Sequence, residues 1–168
     1  MPKDTDLLRK ASLVTDLPDA DLAEILSSGS FARFKSGEVI MREGENSDTM
    51  YLFLDGMVDV SKNLTLKIAG KGFGQAEKSM TRLKAGTAPV FGEMSMFGDE
   101  PRSATITAAN DCVLFQLSRN SFEQICMRNP RLGLSLTRRI ATMLSSRVRK
   151  GNDDVLKLST ALSIALSR

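Results

Sequence analysis

Residues 31–60, FARFKSGEVIMREGENSDTMYLFLDGMVDV, decide the fold. Phe31, Arg33 and Lys35 alternate with Ala32 and Phe34, and Gly37, Gly44 and Gly56 punctuate short runs such as Glu38 to Arg42 and Met50 to Leu54. Strict alternation sends successive side chains to opposite faces of a strand. With a turn signal every 7 to 12 residues it predicts a sandwich or barrel of short strands. Strand signal continues through Met57, Val58 and Val60 and through Leu64, Leu66 and Ile68, and resumes near Met80 to Leu83 after a glycine-bearing loop, Gly70 to Gly74, expected to be mobile. Phe91 to Met96 breaks the pattern, Ser103 to Thr107 restores it, and Cys112 to Leu117 is the last apolar run, so the sheet region ends near Ser118.

Helical spacing flanks this region. Ahead of it, Asp19, Ala20, Asp21 and Leu22 follow Pro18, and Leu22, Ile25 and Leu26 recur before Gly29 stops the run. Behind it, Ser118 and Ser121 can cap a short helix carrying Phe122, Ile125 and Cys126, which Asn129 and Pro130 terminate or reset. A longer helix follows with Leu132, Leu136, Ile140, Met143, Leu144 and Val148 as a stripe, read either as packing against the strands or as a dimer face. Gly151 and Asn152 are expected to interrupt it. Asp153 and Asp154 then sit where the positive end of a new helix favours acids, ahead of Val155, Leu158, Leu162 and Ala165. That last helix has apolar residues on more than one side and is expected to dock on the body, a second copy or a partner.

The chain has 168 residues, 42% hydrophobic and 26% charged, which fits one compact domain with a real core and little beyond accessory helices. A net charge of +3 names neither nucleic acid nor membrane as a partner. The charge is uneven, with 6 basic and 12 acidic groups in residues 1–60 against 10 and 3 in residues 119–168, which points to internal pairing, an acidic partner or nucleic acid. The absence of histidine removes Ser-His-Asp and Cys-His nucleophile activation and nearly all catalytic zinc or non-haem iron sites. Cys112 and Cys126 form no CxxC pair, and read as two buried thiols in a reducing compartment. The start, MPKDTDLLRK, lacks the basic end and apolar core of a secretory signal, and no window approaches 18 apolar residues, so a soluble cytoplasmic protein without a membrane span is expected.

The chemistry lies in residues 91–105, FGEMSMFGDEPRSAT. Gly92 lets a ligand approach the backbone, and the residues after it can make one short helical turn whose free N–H groups attract an anion. Arg102 follows Glu93 past a turn at Gly98 and a Pro101 that biases Glu100 toward extended geometry, so the chain can double back and bring a guanidinium over the same cradle. A carboxylate only accepts hydrogen bonds, so Glu93 suits a sugar hydroxyl, whereas Arg102 suits the exocyclic oxygens of a phosphodiester. On residue types alone, a surface Glu–Arg pair accounts for the same pattern.

The segment resembles the phosphate-binding cassette of the cyclic nucleotide-binding domain family, whose pattern is roughly Phe-Gly-Glu-Leu-Ala-Leu, a short loop, then Pro-Arg-Ala/Ser-Ala-Thr; here it reads FGEMSM, FGDE, PRSAT. The resemblance runs from about Leu7 to Lys150 and includes Gly37-Glu38-Val39-Ile40, Gly44, Asp48, Tyr51 and Gly56-Met57-Val58. It implies a mainly β fold with α, an antiparallel β-roll (double-stranded β-helix, jelly roll) flanked by N-terminal and C-terminal helices. The nucleotide-binding domain would span 1–150, with a helical cap at 1–30, the β-roll at 31–118 and helices at 119–150, and an accessory helix at 151–168. It further implies that Gly92 and Glu93 meet the ribose and phosphate, Arg102 the phosphate charge, and Ser103 a phosphate oxygen or the base. Phe91 and Ala104 would shape the pocket beside Met94 and Ser95. Met94, Ser95 and Met96 replace the usual Leu-Ala-Leu, and Pro89 stands where the family's loop often has Asp.

The ligand implied is cAMP or cGMP, cAMP placed first, with no other cofactor and no catalysis. Ser103 does not decide between them, since cGMP binders often have Thr there and bacterial cAMP binders also have Ser. By counting along the C-terminal helix, Arg147 and Val148 are possible base contacts. The implied role is a sensor whose C-terminal helices repack on binding to control a regulated partner or a homodimer through residues 131–166. The alternative is the regulatory piece of a larger channel, kinase or transcription regulator. No recognition helix for DNA is expected in the few residues after Lys150. The stretch from Ser61 to Arg82, longer than the family's usual hairpin, reads as a surface insertion or a partner-binding element.

Overall fold

A computed structural model describes residues 2–68, 72–86 and 90–167. In chain order it holds α1 (Pro2–Leu8), α2 (Asp19–Ser28), β1 (Ser30–Phe34), β2 (Val39–Met41), β3 (Thr49–Asp55), β4 (Met57–Ile68), β5 (Gly72–Lys84), β6 (Val90–Phe91), a 3-10 turn (Glu93–Met96), β7 (Thr105–Ala108), β8 (Cys112–Ser118), α3 (Arg119–Arg128) and α4 (Pro130–Leu166). The strands form two four-stranded antiparallel sheets, ordered β1-β8-β3-β6 and β2-β7-β4-β5, so the expected β-roll with helices at both ends is the fold observed.

The first sheet is covered on both faces, which explains why its central strands read as nearly continuous apolar runs. From β3 and β8, Met50, Leu52, Leu54, Phe115 and Leu117 pack under the helices with Leu8, Leu22, Ile25, Phe122, Leu132, Leu136 and Ile140. The alternate residues Phe53, Cys112 and Leu114 pack against Ile40, Val58, Ile106 and Ala108 of the second sheet. The opposite ends of the chain also pair by charge. Arg139 donates to both carboxylate oxygens of Asp16, and the Asn129 amide donates to Asp21 and Glu24 at 3.2 and 3.0 Å, so part of the sequence's charge asymmetry is internal pairing.

Caps set the helix boundaries. The Ser118 hydroxyl accepts from the Ser121 amide, and the Asn129 side chain accepts from Leu132, both at 3.1 Å. The structure departs from the sequence reading at two places, and leaves the long stretch from Ser61 to Arg82 a hairpin as read. Gly72 and Gly74 stand in β5 opposite Ile68 and Leu66 rather than in a loop; Gly70 and Lys71 lie outside the described residues, as does Pro89. The stretch from Ser61 to Arg82 becomes a ribbon, since β4 pairs with β7 only as far as Ser61 and with β5 alone beyond it.

The second departure is α4, which runs unbroken for 37 residues through Gly151 and Asn152. A helical glycine costs only about 1 kcal/mol relative to alanine, less than the continuing backbone bonds and the i,i+3 pairing of Asp154 with Lys157 at 3.5 Å can offset. Its distal half does not dock on the body: Val155, Leu156, Leu158, Leu162, Ile164 and Leu166 are all exposed.

Gly133 fixes how α4 crosses α3, because a Cβ there would meet the Cα of Cys126 at 2.7 Å and its Sγ at 2.8 Å. Gly133→Ala should therefore destabilise the protein by about 1–3 kcal/mol in urea unfolding, the usual cost of overpacking a close contact.

Candidate functional site

The site begins where β6 ends. β6 is two residues long and hangs on β3 through Leu52↔Val90 and Tyr51↔Phe91, with the Tyr51 and Phe91 rings stacked at 5.4 Å. Gly92 then takes φ +73°, a left-handed conformation that turns the strand into the 3-10 turn. The Ser95 hydroxyl closes that turn by donating to the Gly92 carbonyl at 2.8 Å. Glu93, Ser95 and Met96 are buried, while Met94 and Phe97 are exposed.

Arg102 arrives from the other side, between Pro101 and β7. Its backbone bonds to the β2–β3 connection, N–H to Glu45 O and C=O from Gly44 N, each at 2.9 Å. The residue is 5% exposed, with its guanidinium turned inward. Nη1 donates to Gly92 O and Ser95 Oγ, both at 3.1 Å, and Nη2 donates to Ser47 Oγ at 2.9 Å and to the Thr49 carbonyl. Nε has no partner, and no carboxylate among the described residues forms an ion pair with this cation. Burial pulls the guanidinium below its ordinary pKa, against the fields of Tyr51, Asp48, Glu93 and Glu45. A desolvated cation held by neutral dipoles, with one N–H unsatisfied, suits an anionic ligand.

Glu93 is the complementary half. Burial pushes its carboxyl above the usual carboxylate range, opposed by Arg147 and Arg102. Arg147, from α4, bonds the Glu93 carboxylate through Nη1 and donates through Nη2 to Val90 O at 2.8 Å.

The structure thus brings Phe91, Gly92, Glu93, Ser95, Arg102 and Arg147 together. Met94 lies on the outside of the turn, with the Ser103 hydroxyl 4.0 Å from its sulfur. Ser103 is exposed, Ala104 is half-buried, and Val148 faces solvent with no bond to the turn. Sequence reading missed Ser47 and Thr49, which reach Arg102 only through the fold. It also missed Arg119, whose guanidinium donates to Ser95 O at 2.8 Å and to Gly98 O, and pairs with Asp99 at 2.6 Å. A signal for Arg119 was available, since a cation in the first turn of a helix opposes the helix dipole and needs a partner elsewhere.

Two sheets, flanking helices and a glycine-started turn with a buried glutamate and a buried arginine beside it define the class, a β-roll domain with a polar, charged site at the end of β6. The family model described as "Cyclic nucleotide-binding domain" matches residues 31–129, and the chain belongs to that family. Among curated proteins it is 29% identical over 165 residues to mouse cGMP-dependent protein kinase 2, covering 96% of this chain and 20% of the kinase. Among solved structures it resembles a cyclic nucleotide-binding domain from Methylobacillus flagellatus, with a TM-score of 0.75, 26% identity, and coverage of 92% of this chain and 83% of that one. It also resembles the regulatory domain of Toxoplasma gondii PKA crystallised with cAMP, with a TM-score of 0.55, 26% identity, and coverage of 72% and 42%. The chain spans from a fifth to a third of the length of the first curated relatives it matches.

Gly92→Ala tests the turn, because a Cβ there would lie 2.7 Å from Arg102 Nη1 and 2.9 Å from Thr49 O at a positive φ. The variant should lose about 1–3 kcal/mol of stability from the strained backbone, measured by urea unfolding. It should also loosen Arg102, seen as faster exchange of its guanidinium protons by NMR.

Proposed function

We propose that this chain is a sensor for a cyclic mononucleotide, cAMP ahead of cGMP, in which Arg102 takes the cyclic phosphate and Glu93 accepts the ribose hydroxyl. The carrying observation is the buried Arg102 guanidinium, with no carboxylate partner among the described residues and an unsatisfied Nε. Phe91, Gly92, Met94, Ser95, Ser103 and Ala104 line or shape the ligand's seat, and the base lies toward α4 near Arg147 and Val148. No covalent bond is made or broken; the output is a shift in how α3 and α4 pack, driven by the ligand's differential affinity for two states. The order of cAMP over cGMP rests on the family resemblance, since the Ser103 hydroxyl favours neither base.

The output partner is a second copy, seated on α4. Leu134, Ala141, Leu144, Val148, Val155, Leu158, Leu162 and Ala165 fall on the a and d positions of one heptad frame, whose two other d positions hold Thr137 and Gly151. The large members of this row other than Leu144 are exposed, on a different side of the helix from Leu132, Leu136 and Ile140, which face the body. A seam this long and apolar, on a helix that extends past its own domain, matches a self-complementary coiled coil. No helix among the described residues is long and apolar enough to cross a membrane. A cytoplasmic setting is proposed on the sequence reading of the N-terminal residues and of Cys112 and Cys126 as thiols, with no role in DNA binding assigned. The same sensor can equally serve as the regulatory part of a longer channel, kinase or transcription regulator.

Calorimetric titration with cAMP, cGMP and a cyclic dinucleotide tests the site and ranks the bases. The expected result is binding of a mononucleotide, poor binding of the larger dinucleotide, and a loss of about 2–5 kcal/mol in Arg102→Ala, where a buried charge pair loses one partner. Unchanged binding in both Arg102→Ala and Glu93→Ala would rule the site out. Because burial raises the Glu93 pKa, binding through its carboxylate should weaken as pH falls toward that raised value, at a higher pH than an ordinary glutamate would give, and Glu93→Gln should abolish this dependence. Light scattering should give a dimer that Leu158→Asp converts to a monomer while the β-roll stays folded.

A further inference from the structure

Arg147 is the last side chain of α4 with a described bond to the body; the described bonds of the remaining helix, to Leu166, lie within the helix itself. Its two partners are consecutive parts of one strand end, the Val90 carbonyl and the Glu93 carboxylate. The pair is asymmetric, with a Glu93 side chain 3% exposed and an Arg147 side chain 41% exposed. Glu93 needs a donor wherever α4 lies, because a buried carboxylate without one is costly. Arg147 can exchange its contact for water at small cost. Any donor that reaches Glu93 from a ligand therefore competes with Arg147.

We propose that Arg147 is an internal occupant of the acceptor at Glu93: it holds the carboxylate when no ligand is bound, and a ligand's sugar hydroxyl binds by displacing it. Displacement unties α4 at residue 147, next to Val148 on the exposed apolar seam. Hydroxyl recognition and the freedom of the distal helix thus become one event, and Arg147 sets how strongly the site favours ligands that carry the hydroxyl. The inference rests on the proposal that the turn binds a cyclic nucleotide, and it differs from the expectation that Arg147 contacts the base: an internal competitor weakens binding, whereas a base contact strengthens it.

The two roles give opposite signs in one experiment. Arg147→Gln removes the charged fork but keeps a long polar side chain on an exposed helix face, and unchanged circular dichroism would establish that the fold is intact. Calorimetry is run on wild type and Arg147→Gln with cAMP and with its 2′-deoxy analogue. The expected result is a three- to tenfold tighter affinity for cAMP in the variant, the range of a partly exposed ion pair set against ligand binding, and no change for the deoxy analogue, which makes no claim on Glu93. Arg147→Lys, keeping a point charge without the two-pronged geometry, should fall between. Weaker binding of cAMP by Arg147→Gln, or equal shifts for both ligands, would overturn the inference while leaving the sensor reading in place. Absence of binding in wild type and variant alike would remove the sensor reading itself and this inference with it.

Discussion

The Arg102 guanidinium, taken out of water and given carbonyls and hydroxyls instead of an anion, organises the ligand end of this protein. Its Nη groups reach Gly92 and Ser95 on one side and Ser47 and Thr49 on the other, so one cation stitches the turn after β6 to the start of β3. The arrangement costs desolvation, which pulls the arginine below its ordinary pKa. A cation buried without a counter-ion is a poor stability device and a good anion receptor, because an arriving phosphate supplies the charge the fold withholds. Gly92 is the geometric condition for it: a side chain there would stand where the guanidinium stands.

Around that centre the two C-terminal helices grip the same short turn by different ends. Arg119, at the start of α3, binds the carbonyls of Ser95 and Gly98; Arg147, on α4, binds the carboxylate of Glu93. α3 and α4 are themselves locked at Gly133 against Cys126 and capped through Asn129, whose amide also reaches the acidic face of α2. A displacement of the turn by an ångström therefore has three rigid places to act on: the first turn of α3, the α3–α4 crossing and residue 147. The distal half of α4 is the free end of this linkage, and its apolar row is where a change of packing would be read.

The strand and turn pattern was legible because it is local. Alternation in 31–35, glycine punctuation at Gly37, Gly44 and Gly56, and the caps at Ser118 and Asn129 depend on near neighbours, and each is present as read. Gly92, Glu93 and Arg102 were also legible, since a strand-ending glycine and a returning arginine lie within a dozen residues. The continuity of α4 through Gly151 was not, because a glycine's preference against helix is about 1 kcal/mol and can be outweighed by the helix on either side. Arg147 was singled out only as a possible base contact, and its bond to Glu93, 54 residues earlier in the chain, could not be read from the sequence.

By itself the sequence determined a sandwich or barrel of short strands between helices, which the family resemblance narrowed to a β-roll, together with a glycine-started turn carrying a glutamate and an arginine able to return to it. Apart from that narrowing, all of these follow from periodicity and backbone freedom over short spans. Only the tertiary structure decided that the arginine is buried without an ion-paired carboxylate among the described residues, that Ser47 and Thr49 hold it, that Arg119 and Arg147 clasp the turn, and that the distal half of α4 is exposed. Those outcomes depend on which distant groups share a volume from which water is excluded, and a charge's partners there are set by packing across the whole chain rather than by its neighbours along it.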